Sequence, residues 1–341
     1  MIYAPHTLEL TLIVDANKFE KLKNRAYEKS QYSHKVFPDK KRKGVCIDRA
    51  FKDKGIKVEY HDGTYKKRIK FIVNPTTLLG GDDVIKLWKP NEENVSKLVK
   101  KLEKNIERYF NSKHKLKDFK LTRIDFTVNI DVGSRENVSA YIKVLQNIGR
   151  VKGFSPKYDD DAGIEKDLSF DLEGNSNGVE FSAYDKEAQL QNNKKDASRL
   201  RKSKGILRVE VRLMKLKAIR NHTNETAASK QITSLALNSK KVFLNTFAQI
   251  VPYGDHYKKR DAVRIIEDNI RYKIPREKML RLIELIPKKK SLYLARKDMA
   301  DRNIDKLMKL FEELNLSPVT ISKRHDVKHL KGLYYYLLDK K

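Results

Sequence analysis

Residues 120–131 read KLTRIDFTVNID, and most of their side chains sort by parity. Ile124, Phe126, Val128 and Ile130 fall on one face, and Arg123, Asp125, Thr127, Asn129 and Asp131 on the other. A period of two over this length marks a strand that buries one side only. The chain must therefore form a sheet, and one face of that sheet carries carboxylates and arginines.

Two further segments obey the same rule. In GVEFSAYDK, Val179, Phe181 and Ala183 oppose Glu180, Ser182, Tyr184 and Lys186. In ILRVEVRL, Leu207, Val209, Val211 and Leu213 oppose Arg208, Glu210 and Arg212. Each of the three strands places an acid or a tyrosine on its polar face. If that side is uncovered, it forms a cleft lined by Asp125, Glu210 and Tyr184, with Asp131 on the same face.

The remaining pattern surrounds these strands with helices. TLELTLIV alternates through Leu8, Leu10, Leu12 and Val14, and a polar helix follows from about Asn17 to Glu28. GIKVEYH and KKRIKFIV flank Asp62-Gly63, a hairpin signal. After Pro90, Val95, Leu98, Val99, Leu102, Ile106, Tyr109 and Phe110 recur at helical spacing. A second amphipathic helix runs through Val138, Tyr141, Ile142, Leu145 and Ile148, followed by the strand DLSFDL, and a charged helix precedes ILRVEVRL. The order reads β-α-β-β-α-β and then α-β-β-α-β, as if two split βαβ units shared the strand at 120–131.

Beyond about Lys215 the strand signals stop. IPREKMLRLIELI and NIDKLMKLFEELNL are helical, separated by the basic run Pro287 to Lys290. The expected fold class is α+β: an antiparallel-rich sheet of split βαβ (ferredoxin/RRM-like) units packed with helices, followed by a helical C-terminal region. The expected division is a catalytic domain over 1–215 and a basic, DNA-binding helical region over 216–341, of helix-turn-helix type.

Charge narrows the partner. The 341 residues carry 74 Lys and Arg against 45 Asp and Glu, a net charge of +29 spread over the whole length, which points to a polyanion. The single cysteine, Cys46, excludes an internal disulfide and any cysteine-based zinc cluster. No apolar stretch reaches membrane-spanning length, so the expectation is a cytoplasmic protein with no membrane partner.

A polar face with two acids and a tyrosine suits metal-assisted phosphoryl transfer. A tyrosine of pKa about 10 is only about 0.1% phenolate at neutral pH, so it needs help to attack a phosphodiester. Mg²⁺ or Mn²⁺ on carboxylates supplies that help by polarising the phosphate. Lys186, two residues from Tyr184, can favour the phenolate or hold the phosphate. The plainer readings stand beside this one. With 16 tyrosines in the chain, any one can be structural or can stack on bases. Asp125 and Glu210, each flanked by arginines, can be surface ion pairs. Histidine offers little: no His-hydrophobic-His pair is present, and His325 and His329 sit among basic residues where a DNA-facing surface is the simpler account.

The chain resembles the replication endonucleases of filamentous phages and, more distantly, single-tyrosine plasmid initiators and relaxases. The matching pieces, in the family's order, are VEYHDG (58–63), NPTTLLGG (74–81), LTRID (121–125), FSAYDKEAQLQ (181–191) and LRVEVRL (207–213), with a weaker match at LMKLFEELNLS. The resemblance implies that Tyr184 is the residue joined to DNA, with Lys186 beside it and Asp125 and Glu210 as metal ligands. Asp131 has a counterpart only in the plasmid branch.

The expected activity is that of a rolling-circle replication initiator: a nick in one strand at an origin, a 5′-phosphotyrosine adduct, a 3′-hydroxyl primer and later religation. Expected DNA contacts come from Arg123, Arg208 and Arg212 near the site and from Lys288, Lys289, Lys290, Lys323 and Arg324. Duplex and single-stranded origin DNA, a host helicase and a polymerase are the expected partners. Three rivals remain open: a relaxase for mobilisation, a non-catalytic DNA-binding regulator, and a metal-dependent nuclease or transposase using water with Asp125, Asp131 and Glu210.

Overall fold

The alternation is realised as one antiparallel sheet of ten strands. The computed structural model describes residues 1–30, 35–81, 85–157, 166–193 and 197–338. In chain order the sheet comprises β1 (Ala4–Val14), β2 (Val36–Pro38), β3 (Val45–Asp48), β4 (Ile56–Asp62), β5 (Lys67–Val73), β6 (Lys120–Asp131), β7 (Phe154–Pro156), β8 (Ser169–Gly174), β9 (Val179–Asp185) and β10 (Ile206–Leu213). Helices α1 (Ala16–Ser30), α2 (Pro75–Leu78), α3 (Glu92–Phe110), α4 (Arg135–Ile148), α5 (Lys186–Asn192), α6 (Ala197–Ser203) and α7 (Leu216–Arg220) are interleaved with the strands or follow them. The single charged helix expected before β10 is thus a pair, α5 and α6, and residues 194–196 lie outside the described residues.

The spatial order is β2-β3-β4-β5-β1-β6-β10-β9-β8-β7. The segment β4-β5-β1-β6, with α1 and α3 as crossovers, is a split βαβ unit. The second half departs from that pattern for a geometric reason. A strand has two hydrogen-bonding edges, and β6 already gives one to β1. It cannot also pair with both β9 and β10, as a second unit built on β6 would require. Instead β10 takes the remaining edge of β6 and β9 lies outside it.

The apolar face collects the helices. On α3, Val95, Leu98, Leu102, Ile106 and Phe110 are all buried, and each such side chain contributes roughly 1.5–3 kcal/mol relative to exposure. Asn91 caps the start of α3 by accepting from the backbone N–H of Asn94, and Asn111 ends it at φ +50. Phe71 of β5 meets Phe110, Tyr109 and Phe119 at ring-centroid distances of 5.7, 5.2 and 5.4 Å.

The helical expectation past Lys215 is realised in α8 (Ala228–Leu237), α9 (Ser239–Ile250), α10 (Lys259–Asn269), α11 (Lys273–Lys289), α12 (Leu292–Asp298), α13 (Ile304–Glu313) and α14 (Leu333–Leu337). A small ribbon, β11 (His256–Tyr257) with β12 (His329–Leu330), was not legible in the sequence. The run Pro287 to Lys290 lies between the two helical segments but belongs mostly to the first of them. Pro287, Lys288 and Lys289 finish α11, and Lys290 caps it at φ +48. Helices α8 and α9 pack on the sheet: Phe247 meets Phe181 at 6.1 Å and Phe243 meets Tyr3 at 5.4 Å. The Tyr3 hydroxyl donates to the carbonyl of Leu337 at 2.5 Å, and Ser239 Oγ donates to the carbonyl of Tyr3 at 2.8 Å. One hydrophobic cluster accordingly runs from Tyr3 to Leu337. Among the described residues no helix is long and apolar enough to cross a membrane.

Candidate active site

The registers of β6, β10 and β9 run unbroken, so the parity read from sequence survives in space. Asn129, Arg208 and Tyr184 form one cross-strand row; Thr127, Glu210 and Ser182 form the next; Asp125, Arg212 and Glu180 form the third. Tyr184 and Glu210 are diagonal neighbours, and the Tyr184 hydroxyl donates to Glu210 Oε1 at 2.7 Å. Gln189 on α5 donates to the same hydroxyl at 3.2 Å.

The strand carrying Tyr184 ends earlier than its sequence suggests. Asp185 turns the chain by accepting from the backbone N–H groups of Glu187 and Ala188, and Lys186 opens α5 instead of continuing the polar face. Lys186 is buried, and its ammonium donates to Gln189 Oε1 at 2.6 Å. Gln189 thus links it to the Tyr184 hydroxyl.

Two guanidinium groups hold the acids. Arg123 grips Asp125 with two parallel bonds, Nε to Oδ1 at 2.8 Å and Nη2 to Oδ2 at 2.7 Å. Arg212 donates to Glu210 Oε2 from Nε at 3.2 Å and Nη2 at 2.9 Å. The ion pairs foreseen as an alternative exist, but not at a surface: Asp125 is 2% exposed, Glu210 4% and Tyr184 2%. The polar face is thus covered over these residues, where an open cleft was one expectation. Part of the cover is the segment before α3, where Asn129 donates to the carbonyl of Ile85 and Trp88 Nε1 to that of Pro5 at 2.7 Å. Arg208 is fully buried and donates to Asn129 Oδ1 at 2.8 Å, so it presents no surface to DNA in this state.

His6 is the site residue that the sequence did not reveal. The pairing of β1 with β6 slips between Pro5 and Thr7, and the resulting bulge places His6 in the field of Arg208, Glu210, Lys186 and Arg212. Its Nδ1 is buried without a hydrogen-bond partner, as is Thr127 Oγ1 in the row of Glu210. A bulge has no signature in APHTL, which is why parity could not place this histidine.

Burial and charge set the protonation states. Burial, together with the charge of Glu210, pushes the Tyr184 phenol well above its ordinary value. Burial also opposes ionisation of Glu210, but Arg212, His6, Arg208 and the Tyr184 hydrogen bond outweigh it and hold that carboxyl down at about 2. Asp125 is raised by burial, with Arg123 opposing. Burial first, and Arg208 next, lower the His6 imidazole to about 3, so it is neutral near pH 7.

Asp131 stands apart. It is exposed and accepts from the backbone N–H of Gly133 at 2.9 Å, holding the turn in which Val132 donates to the carbonyl of Gly205 at 2.9 Å. Gly205 has φ +77, and a side chain there would meet the Gly133 carbonyl carbon at 2.9 Å. Six residues of strand separate Asp131 from Asp125, roughly 20 Å, too far for one ion. Asp125 and Glu210, by contrast, are diagonal neighbours on adjacent strands, about 7–8 Å apart at Cα.

No three His, Cys, Asp or Glu side chains among the described residues are grouped to hold an ion as the side chains stand. The donor chemistry itself fits, with two carboxylates for a hard cation and a neutral imidazole whose Nδ1 has no hydrogen-bond partner. As the side chains stand, Arg123 and Arg212 engage these carboxylates.

The remote cations are accessible. Lys289 and Lys290 line a cleft of about 640 Å³ with Arg150, Lys157, Ser155 and Ser169, and Ser169 is the β8 partner of Tyr184. Lys289 also pairs with Asp298 at 3.2 Å. Lys288, Lys323 and Arg324 are exposed.

Comparison with curated proteins gives no match. Among solved structures, a rolling circle replication initiator protein from Geobacillus stearothermophilus aligns with 11% identity over 73% of this chain and 85% of that one, at a TM-score of 0.37. A phage family model described as the N-terminal part of a replication-associated protein matches residues 26–234, more than half of the chain and across all three strands of the site. The chain belongs to that family of replication-associated proteins.

Proposed function

We propose that the protein initiates rolling-circle replication by nicking one DNA strand with Tyr184. The observation that carries this reading is the hydrogen bond from the Tyr184 hydroxyl to the Glu210 carboxylate, at the centre of a buried charged cluster in a replication-associated protein. Tyr184 Oη attacks the scissile phosphorus, its proton passes to Glu210, and the bond from phosphorus to the 3′-oxygen breaks. The 3′-oxygen takes up a proton and becomes the primer end, while the 5′-phosphate remains on tyrosine. The reverse reaction rejoins strands without ATP, because the bond energy is kept in the ester.

Each neighbour has a role in this scheme. Arg212 and Arg123, released from their carboxylates, offset charge on the phosphate. Gln189 orients the phenol and moves with α5 when DNA reaches the buried hydroxyl. Asp125, Glu210 and His6 would hold a Mg²⁺ or Mn²⁺ ion, which would supply Lewis-acid polarisation of the phosphate. Residues up to about Lys215 carry the chemistry, and α10 to α13 with Lys288, Lys289 and Lys290 supply duplex affinity. The 3′-hydroxyl would be extended by a host polymerase behind a host helicase.

The test uses supercoiled plasmid carrying the cognate origin, with and without Mg²⁺, resolved under denaturing conditions. Nicked product with protein attached at the 5′ end supports the proposal. Nicking with no covalent adduct points to water as nucleophile, and no nicking with intact binding points to a DNA-binding regulator.

A further inference from the structure

A second basic surface lies at the other end of the sheet. The turn between β2 and β3 reads DKKRKG, and the β4–β5 hairpin tip reads DGTYK. The two turns run side by side, joined by a hydrogen bond from the Asp62 N–H to the carbonyl of Gly44 at 2.8 Å. Gly44 has φ +73, and a Cβ on it would meet the Asp62 carbonyl at 3.1 Å, so this close approach requires glycine. Between the turns is a groove of about 490 Å³ lined by Lys43, His61, Tyr65, Lys66 and Arg68.

The groove walls are fixed from below by Glu59, which is 1% exposed. Arg42 of the β2–β3 turn donates to both its oxygens at 3.0 and 2.8 Å, Lys57 pairs with it at 2.7 Å, and His61 sits 2.9 Å away. These partners, opposed by burial, hold the Glu59 carboxyl far below the usual carboxylate range. With Arg42 so engaged, Lys40, Lys41, Lys43, Lys66 and Arg68 are exposed and have no ion-pair partner among the described residues. Over them stands Tyr65, 96% exposed at the hairpin tip.

An exposed aromatic ring above a rigid cationic groove matches what unpaired nucleotides require: a platform for a base and ammonium groups for the phosphates. A duplex keeps its bases stacked and would leave the Tyr65 ring unused. We propose that this groove binds single-stranded DNA, holding one or two unstacked nucleotides against Tyr65. The site lies five strand spacings, roughly 24 Å, across the sheet from Tyr184 and, at the opposite strand ends, roughly 40 Å further along the strands, so it engages a different part of the strand from the one cut. This inference rests on the reading of the protein as a strand-nicking initiator, whose displaced strand the groove would hold.

The experiment uses the full chain and fluorescein-labelled dT15, with a 15-base-pair duplex alongside, across a salt series. Tyr65→Ala should weaken dT15 binding at least fivefold and duplex binding less than twofold, with the melting temperature within a degree of wild type. Lys43→Glu combined with Lys66→Glu should flatten the slope of log K against log salt for dT15 by roughly 1.4, from about 0.7 for each of two phosphates. A 5-iodouracil oligonucleotide should photocrosslink to Tyr65. Unchanged dT15 affinity in Tyr65→Ala with crosslinks elsewhere overturns the proposal, and equal losses on both DNAs make the groove a duplex site instead. Nicking by the wild type is scored separately. If it fails while the Tyr65 effect holds, the nicking reading falls and the groove stands.

Discussion

The hydroxyl of Tyr184 donates to Oε1 of Glu210 across two adjacent antiparallel strands at 2.7 Å. Because the carboxyl is held down at about 2 while burial and Glu210 itself raise the phenol, the proton rests on tyrosine and the charge on glutamate. Tyr184→Phe removes the nucleophile and leaves Glu210 Oε1 without this donor. Nicking of origin plasmid should fall below a few per cent of wild type, origin binding should persist in a mobility-shift assay, and stability should drop by about 1–3 kcal/mol in urea unfolding.

Glu210→Gln separates charge from shape. The amide still accepts from Tyr184, but it no longer balances Arg212 and Arg208, and it is a poor ligand for a divalent ion. Nicking should fall at least 100-fold with no recovery as Mn²⁺ is raised, and Asp125→Asn should behave likewise. Asp131→Ala, at a turn roughly 20 Å along the strand from Asp125, should keep activity within a few-fold of wild type.

What the sequence disclosed follows from periodicity. Alternation survives folding wherever a register is unbroken, so Asp125, Glu210 and Tyr184 were placed on one face correctly. It fails at a bulge, which hid His6, and at a strand end, which moved Lys186 from the sheet onto α5. Nor does alternation report what covers a polar face. Asn129 and Trp88 meet their partners only through tertiary contacts, and Gln189 meets the Tyr184 hydroxyl only because the chain turns at Asp185 from strand into helix.

Two imidazoles give the protein an acid limb above the range of ordinary carboxylates. Burial lowers His256 to about 4, against the opposing effects of the Val319 carbonyl and Asp255, with His329 also lowering it, and His6 is lowered to about 3. Both are neutral in the fold, whereas their unfolded forms take up a proton below about pH 6.5. The unfolded chain therefore binds more protons as pH falls, so stability is full above 6.5 and declines toward 4 and then 3. Between pH 6 and 5, urea unfolding should show a loss of roughly 1 kcal/mol per pH unit for each histidine. His256→Gln should remove one share of that slope, whatever it does to absolute stability.

Cutting the chain at Lys215 tests how the helices relate to the nicking sheet. Such a fragment loses α8 and α9, and with them the cover over Phe181 and Tyr3 and the hydrogen bond from Ser239 to the Tyr3 carbonyl. An exposed apolar sheet face of that kind aggregates, so the fragment should be insoluble, and its inactivity would say nothing about which region binds duplex. The division of labour is better tested in the whole chain. Lys288, Lys289 and Lys290 are exposed at the end of α11, beside the cleft that reaches Ser169. Changing all three to Glu should flatten the salt slope for origin duplex by roughly 2.7, from about 0.9 per phosphate contact. It should reduce nicking of supercoiled origin at least tenfold more than cleavage of a single-stranded origin oligonucleotide. Equal losses on the two substrates would place these lysines in the path of the cut strand itself, and the helices would then belong to the catalytic surface.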